Sequence, residues 1–537
     1  MIKIIIQTVL LFFSVSILFA QKSNKIYHKE EALALGYTNI YSPILDISRD
    51  PRWGRVVECY GEDPYLAGES RTVNFTLTPQ ELGLWNKHDE FVVEPGTFTV
   101  MTGSSSEEIK LTENFEVAAD VSAEKEADVN SLSFRIDVAD EDWIFLTPQQ
   151  IEFEISLLEP VSEKNDFNLI CNITTDDYKP IDSKKYPVNI EQGKNLNRQI
   201  QFAPPAPGFY RFSVYAEKNG KKSPAKKFNI GYEPEKIISP SDAKTDFEDF
   251  WKNTRAELDK VAPRYKLTLM EDKSSEIKNM YHVEMYSFGD IKIEGYYSAP
   301  KKAGKYPVIV YYMGYGANPY FPDANALPDF CEFVLSTRGQ GIQKASNTYG
   351  DWLVYGLENK ENYYYRGAYM DLIRGIDFVA SRPEIDAEKI VVEGGSQGGA
   401  FAMTACALDK RIKAGAPHIT FLSDFRDYFN ICPWPRSAFE KYLRANPEKS
   451  WNDLYDKLTY FDIKNMAPYI TCPIIMGVGL QDETCPPHTN FAGYNLVTSP
   501  KQYYVYPEQK HAVGKSWWKT REDFFRKILM QPIKNSK

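Results

Sequence analysis

Apolar residues recur along this chain with two different periods, and the change from one to the other divides it. Over 131–138, 150–157 and 210–216 they stand at roughly every second position, the period of strands half-buried in a sheet. Turn residues separate these runs at Pro204-Pro205-Ala206-Pro207-Gly208 and at Asn219-Gly220. The second is a hairpin signal, because both residues tolerate positive φ. The pattern predicts a β-sandwich over 120–232. Its aromatics, such as Trp143 and Tyr210, are expected in its core rather than on a sugar-stacking face. A proline- and acid-containing linker, 233–246, follows. Beyond it, short apolar runs alternate with helix-period stretches: strands are predicted at 306–312, 330–335, 389–393, 474–478 and 503–506, with helices at 366–381 and 399–408 between them. Such alternation implies an α/β domain with a mainly parallel sheet covered on both faces, preceded by the β-sandwich.

The start of the chain follows neither period. Lys3 is followed by an apolar core that closes at Ala20, before Gln21. This is the form of a secretory signal, so residues 1–20 are set apart from the fold and a secreted or periplasmic location is expected. The run is broken by Gln7, Thr8 and Ser14 and is barely long enough to anchor in a membrane; no later segment reads as transmembrane. At 537 residues the chain is too long for one core. A net charge of −10 and a pI near 5.4 argue against a nucleic-acid partner. Seven cysteines, at 59, 171, 331, 406, 432, 472 and 485, form no C-x-x-C pair and give no disulfide pairing. Cys331, Cys406 and Cys472 lie in or beside apolar runs and are expected to be buried as small hydrophobes. No Walker loop or zinc spacing is present, so no metal or other cofactor is expected.

The chemistry concentrates where the predicted strand 389–393 runs into Gly394-Gly395-Ser396-Gln397-Gly398-Gly399 and then a helix. Strand, G-x-S-x-G turn and helix are the context of a nucleophile elbow. A serine hydroxyl needs a base, and the base an orienting carboxylate, in the chain order Ser, acid, His. Of six histidines, those at 28, 88 and 282 precede Ser396, and His418 comes before any good acid loop; a packed or surface imidazole suits it better. Asp482 follows an apolar strand at the sheet edge where such sites lie, with Glu483 read as a solvated neighbour. His511 sits on the loop after the last predicted strand. His488, six residues past Asp482 among prolines, is too close along the chain for an easy bridge to Ser396, which favours His511.

From about residue 239 onward the chain resembles the acetyl xylan esterase and cephalosporin C deacetylase family, carbohydrate esterase family 7. The resemblance is carried by Arg338-Gly339-Gln340, Gly394 to Gly399, Gly479-Leu480-Gln481-Asp482 with Pro486-Pro487 and Phe491-Ala492-Gly493-Tyr494-Asn495, and Asp246-Phe247-Glu248-Asp249-Phe250-Trp251. It implies an α/β-hydrolase fold and the triad Ser396, Asp482 and His511. It also implies an oxyanion hole from the backbone N–H groups of Tyr315 and Gln397, with Arg338, Gly339 and Gln340 as structural support beneath the site. Two departures stand out: Met313 where the family has His before Gly-Tyr, and Ala512 where it has Glu after the histidine. Neither removes a triad member, and backbone donors do not depend on the side chain at 313. The family often forms ring-like oligomers, so a homo-oligomer is implied unless the added N-terminal domains block that packing.

Ahead of the sandwich, Ala34-Leu35-Gly36-Tyr37 through Arg49-Asp50-Pro51-Arg52-Trp53 and Tyr60-Gly61-Glu62-Asp63-Pro64-Tyr65 resembles glycoside hydrolase family 3. A block containing Val93-Glu94-Pro95-Gly96 resembles that family's fibronectin-type domain. The catalytic middle that would hold two carboxylates a fixed distance apart is missing. Residues 21–70 and 71–119 are therefore expected to be non-catalytic remnants, the first lacking the barrel it would pack against. The resulting expectation is a secreted serine carboxylesterase (233–537) that deacetylates xylose-containing oligosaccharides through an acyl-enzyme, with no membrane anchor. The rivals are a prolyl-oligopeptidase-type peptidase and a non-enzymatic carbohydrate-binding protein.

Overall fold

The computed structural model describes residues 129–147, 151–161 and 164–530 throughout, and before residue 129 the backbone of six strands. It divides into two compact units, Met1–Lys125 and Glu126–Lys537. In the first, Arg55–Glu58, Ile44–Ser48, Gly96–Ser105 and Glu108–Val117 form an antiparallel sheet in that order. A strand of the glycosidase-like segment thus pairs with one of the fibronectin-like segment. The predicted signal peptide and most of 21–70, Arg49 and Asp50 included, lie outside the described residues.

The second unit begins with the predicted β-rich region. One sheet runs Pro180–Ile190, Asn165–Thr175, Gly208–Lys218, Lys226–Tyr232 and Ile144–Phe145; the other runs Asn197–Phe202, Ile151–Leu157 and Phe134–Val138. Alternate residues of each turn inward, and Phe153 meets Phe212 and Phe228 edge-on at 5.0 and 5.3 Å. The Asn219-Gly220 hairpin forms with both residues at positive φ, 50° and 78°, as its chemistry requires. Trp143 packs edge-on against Phe228, and Tyr210 is buried with its hydroxyl donating to the Ala206 carbonyl at 2.5 Å. Both serve the core.

The α/β part is built on nine strands: β1 Lys266–Leu269, β2 Lys278–Ser287, β3 Ile291–Pro300, β4 Tyr306–Tyr312, β5 Cys331–Ser336, β6 Ile385–Gly395, β7 Ile412–His418, β8 Ile474–Gly479 and β9 Lys501–Tyr506. Their order is β1-β2-β3-β5-β4-β6-β7-β8-β9. From β5 to β9 every pairing is parallel, while β1, β2 and β3 add an antiparallel edge. The α/β-hydrolase fold with a mainly parallel sheet is as expected. Helix α1 Phe247–Asp259 leads in, α2 Tyr364–Ala380 joins β5 to β6, and α3 Gln397–Leu408 joins β6 to β7. The five predicted strands all form. Strand β7 is additional to them: the short apolar stretch before His418, Ile-Lys-Ala-Gly-Ala-Pro-His, is rich in small residues rather than branched ones. Its small residues let α3 approach closely: a Cβ on Gly415 would stand 2.7 Å from the Cys406 sulfur.

Sandwich and hydrolase share one core, since Ile144 and Phe209 pack into the same apolar cluster as β4, β6 and α3. The stretch 233–246 is docked rather than free. The Ser239 hydroxyl donates to Asp424 at 2.7 Å, and the Asn495 amide donates to the Pro234 carbonyl at 3.0 Å. Among the described residues no helix is long and apolar enough to cross a membrane.

Candidate active site

Strand β6 delivers Ser396 to the carboxyl edge of the sheet, in the centre, between β4 and β7. The serine is the N-cap of α3, with φ 58° and ψ −122°, a conformation that costs a non-glycine residue about 1–3 kcal/mol and persists only if surroundings enforce it. They do so here. The Ser396 N–H donates to the His418 carbonyl at 3.0 Å, and its own carbonyl accepts from Ala400 and Phe421, both at 3.1 Å. Glycines are needed around it because the backbone is so closely packed. A Cβ on Gly394 would strike the Gly398 backbone, one on Gly398 the Tyr312 carbonyl, and one on Gly395 the His418 ring.

His418 therefore lies beneath the elbow as a packed imidazole, against Trp517 at 5.5 Å. Burial, with Arg521 adding to it, pulls its pKa down to about 3 and keeps it neutral. It braces the serine rather than acting on it.

The acid loop leaves β8 at Gly479, where a Cβ would clash with the Lys510 and Ala512 carbonyls. That glycine lets the loop carrying His511 lie directly on the loop carrying Asp482. Asp482 is fully buried, and its Oδ2 meets His511 Nδ1 at 2.8 Å. Its Oδ1 accepts from the Thr484 and Cys485 amides, both at 2.8 Å, so with His511 three contacts fix the carboxylate in place. His511 and Ser396 line the same cavity, of about 570 Å³. In this resting arrangement the Ser396 hydroxyl lies 3.9 Å from the Cys485 thiol, with no hydrogen bond to His511. Such contacts are commonly loose before substrate binds. Burial pushes the Cys485 thiol well above its ordinary pKa, so it stays protonated and is a poor competitor as nucleophile or metal ligand.

The Met313–Gly316 loop lies across the elbow: Gly314 faces the Gly395 carbonyl, and Gly398 packs against Tyr312. Neither the Tyr315 nor the Gln397 amide has an acceptor among the described residues. The Gln397 side chain is locked below, where its Oε1 accepts from Tyr365 at 3.0 Å and Gln340 at 3.2 Å. Gln340 Oε1 in turn accepts from the Gly316 amide at 2.9 Å, so one glutamine ties the loop to the elbow. Arg338 is buried in a two-pronged pair with Asp371 (2.9 and 2.7 Å) and donates to the Phe288 carbonyl at 2.9 Å. Gly339, at φ 68°, turns the chain between them.

His488 is placed elsewhere. Its Nδ1 lies 2.8 Å from Asp176 of the sandwich, and its Nε2 faces Asp427 at 3.6 Å. Burial alone would lower its pKa, but the hydrogen bond to Asp176 and the nearby Asp427 carboxylate outweigh this and hold it up at about 10. Glu483 is exposed at the cavity mouth. Cys171, Cys331, Cys406, Cys432, Cys472 and Cys485 are all buried and unpaired. Five cavity residues carry no signal in the sequence: Tyr178, Cys432, Pro433, Trp434 and Thr484. Tyr178 comes from the sandwich, and no local signal in 176–179 points to Ser396.

Comparison with known proteins places the α/β part in a family. The acetyl xylan esterase family model matches residues 233–529, and a fibronectin type III-like domain model matches 66–106. The chain is 28% identical over 315 residues to acetyl esterase Axe7A of Xylanibacter ruminicola, covering 56% of this chain and 69% of that protein. Among solved structures, the acetyl xylan esterase of Paenibacillus sp. R4 superposes with a TM-score of 0.53 at 32% identity, over 55% of this chain and 99% of that one. Acetyl xylan esterase 1 of Thermoanaerobacterium sp. gives 0.51 at 25% identity, over 55% and 98%. A stretch of 37 residues is 65% identical to a β-xylosidase of Formosa agariphila but covers 7% of this chain and 5% of that enzyme. With its family model covering more than half its length, the chain is a carboxylic ester hydrolase and belongs to the acetyl xylan esterase family.

Proposed function

We propose that this protein is an exported serine esterase that removes acetyl groups from acetylated xylo-oligosaccharides or similar small acetylated sugars. The observation that carries the reading is the Asp482–His511 pair at 2.8 Å, opening on the same cavity as a serine held at positive φ on a helix N-terminus. His511 takes the Ser396 proton as the serine oxygen attacks the acetyl carbonyl. The negative oxygen that develops is met by the Tyr315 and Gln397 amides, two fixed donors worth about 3 kcal/mol or more of barrier together. His511 returns the proton to the sugar oxygen as the C–O bond breaks, leaving acetyl on Ser396. Water, deprotonated by His511, then attacks the acyl-enzyme, and acetate and the free serine hydroxyl are regenerated. Asp482 keeps the imidazole in the tautomer that presents Nε2 and stabilises its charged form.

The apolar segment ending at Ala20 supports export. The test is acetate release from acetylated xylo-oligosaccharides by the mature protein, with Ser396→Ala alongside. Release that disappears in the variant is expected; release that persists in Ser396→Ala would remove the serine from the mechanism.

A further inference from the structure

One wall of the cavity above Ser396 belongs to the sandwich. We propose that Tyr178 is a sugar-stacking subsite, through which the β-sandwich makes the esterase prefer acetyl groups carried on an oligosaccharide to those on small alcohols. The inference rests on the esterase reading above and adds a specificity-determining residue to it.

Tyr178 stands at the tip of the turn after Asn165–Thr175 and lines the cavity with Ser396, Tyr315, Trp434 and His511. It is 53% exposed, so it serves no core, and its φ of 65° is unusual for an aromatic residue. A strained, exposed aromatic at a cavity mouth needs a reason, because burial does not repay the strain.

The turn is also fixed rather than loose. Thr175 N–H donates to the Lys179 carbonyl at 2.9 Å, and Tyr178 N–H to the Thr175 carbonyl at 3.1 Å. Asp176 anchors the turn to the hydrolase through His488 at 2.8 Å. Arg211 donates to the Asp176 carbonyl at 2.9 Å and places its guanidinium over one face of the tyrosine ring at 4.5 Å. With the residue 53% exposed, that contact leaves ring surface open to a ligand.

Across the cavity, Trp434 is 37% exposed and packs on Phe421 and Tyr315 at 5.3 and 5.7 Å. The cavity of about 570 Å³ far exceeds an acetyl group and falls in the range of sites for larger ligands. Aromatic walls with few fixed charges suit the apolar face of a pyranose ring, with its hydroxyls turned to solvent.

The test uses the full-length mature protein, Tyr178→Ala and Tyr178→Phe, each assayed on acetylated xylo-oligosaccharide and on 4-nitrophenyl acetate. The quantity compared is the ratio of kcat/KM on the two substrates, which does not depend on how much enzyme is folded. Tyr178→Ala is expected to lower that ratio about three- to tenfold, through KM on the oligosaccharide, and Tyr178→Phe to keep it. An unchanged ratio in Tyr178→Ala overturns the proposal, as does an equal loss in the phenylalanine variant. A wild-type protein inactive on both substrates would instead bring down the esterase reading, and the subsite with it.

Discussion

Two histidines of this molecule each hold a carboxylate at 2.8 Å, and only one of them faces the serine. His511 has one acid partner, Asp482, and its ring reaches the cavity that Ser396 lines. His488 lies between two acids, Asp176 and Asp427, so both ring nitrogens are committed and the ring is held as a cation. A base must keep one nitrogen free to take a proton; a cation locked between two carboxylates cannot. The short contact therefore says little on its own. What the second nitrogen meets separates a candidate base from a fastener between sandwich and hydrolase.

The comparison is broken most directly by deleting each ring. His511→Ala is expected to lower kcat on acetate esters by roughly 10⁴-fold or more, as loss of a triad base does, whereas His488→Ala is expected to leave the acyl chemistry within about tenfold. Equal losses in steady-state kinetics would place His488 in the reaction and refute the distinction. Asp482→Asn is expected to follow closely, with kcat down by about 10⁴-fold and little change in folding, because the amide permits the wrong imidazole tautomer. A substrate KM near the wild-type value in that variant would support an orienting role.

The next effect is on stability and on the other histidine. Removing His488 leaves Asp176 and Asp427 facing each other partly buried, and is expected to cost about 3 kcal/mol or more, seen as a lower midpoint in urea or heat. Its pH dependence has a definite sign. The folded pKa of about 10 lies above the ordinary imidazole value of 6.5, so the contribution of His488 is complete below about pH 6.5 and is lost as pH rises toward 10. The Tm difference between wild type and His488→Gln should therefore be largest at pH 6 and shrink through that window. A difference that grows with pH would show that the ring is neutral in the fold.

The two sites also differ in how far the sequence announced them. Ser396 with its glycines, Asp482 and His511 all lie at or just after the ends of predicted strands, where local pattern and chain order suffice to bring them to one sheet edge. The Asp482–His511 contact needs only the neighbouring strands β8 and β9. His488 carries no such signal, because its partner Asp176 is 312 residues away on another architecture. Tyr178 is hidden for the same reason: a turn residue contributes no period, and its cavity is made by the docking of two folds. The antiparallel strands β1 to β3 show no clear period, because charged and polar residues such as Lys266, Asn279, Glu284, Lys292 and Glu294 break their apolar positions and β3 is buried in blocks rather than alternately. In strand β7, close packing beneath α3 selects Ala and Gly over branched residues.

The finest test of the comparison removes the second acid from His488 and leaves the first. Asp427 lies 3.6 Å from Nε2, and its side chain is 47% exposed, whereas Asp176 is at 2.8 Å and 14% exposed. Solvent screens the more distant partner, so Asp427→Asn is expected to cost only about 1 kcal/mol or less. The variant should still show the loss of stability with rising pH, but ending below the wild-type value of about 10, because one of the two charges that favour the cation is gone. Titration of the His488 ring by NMR would follow this directly. An end point unchanged from wild type would assign the whole shift to Asp176 and make the clamp a single pair. Histidine 488 would then resemble His511 in its partners, and the difference between them would rest on position alone: one ring beside a serine, the other beside a sandwich loop.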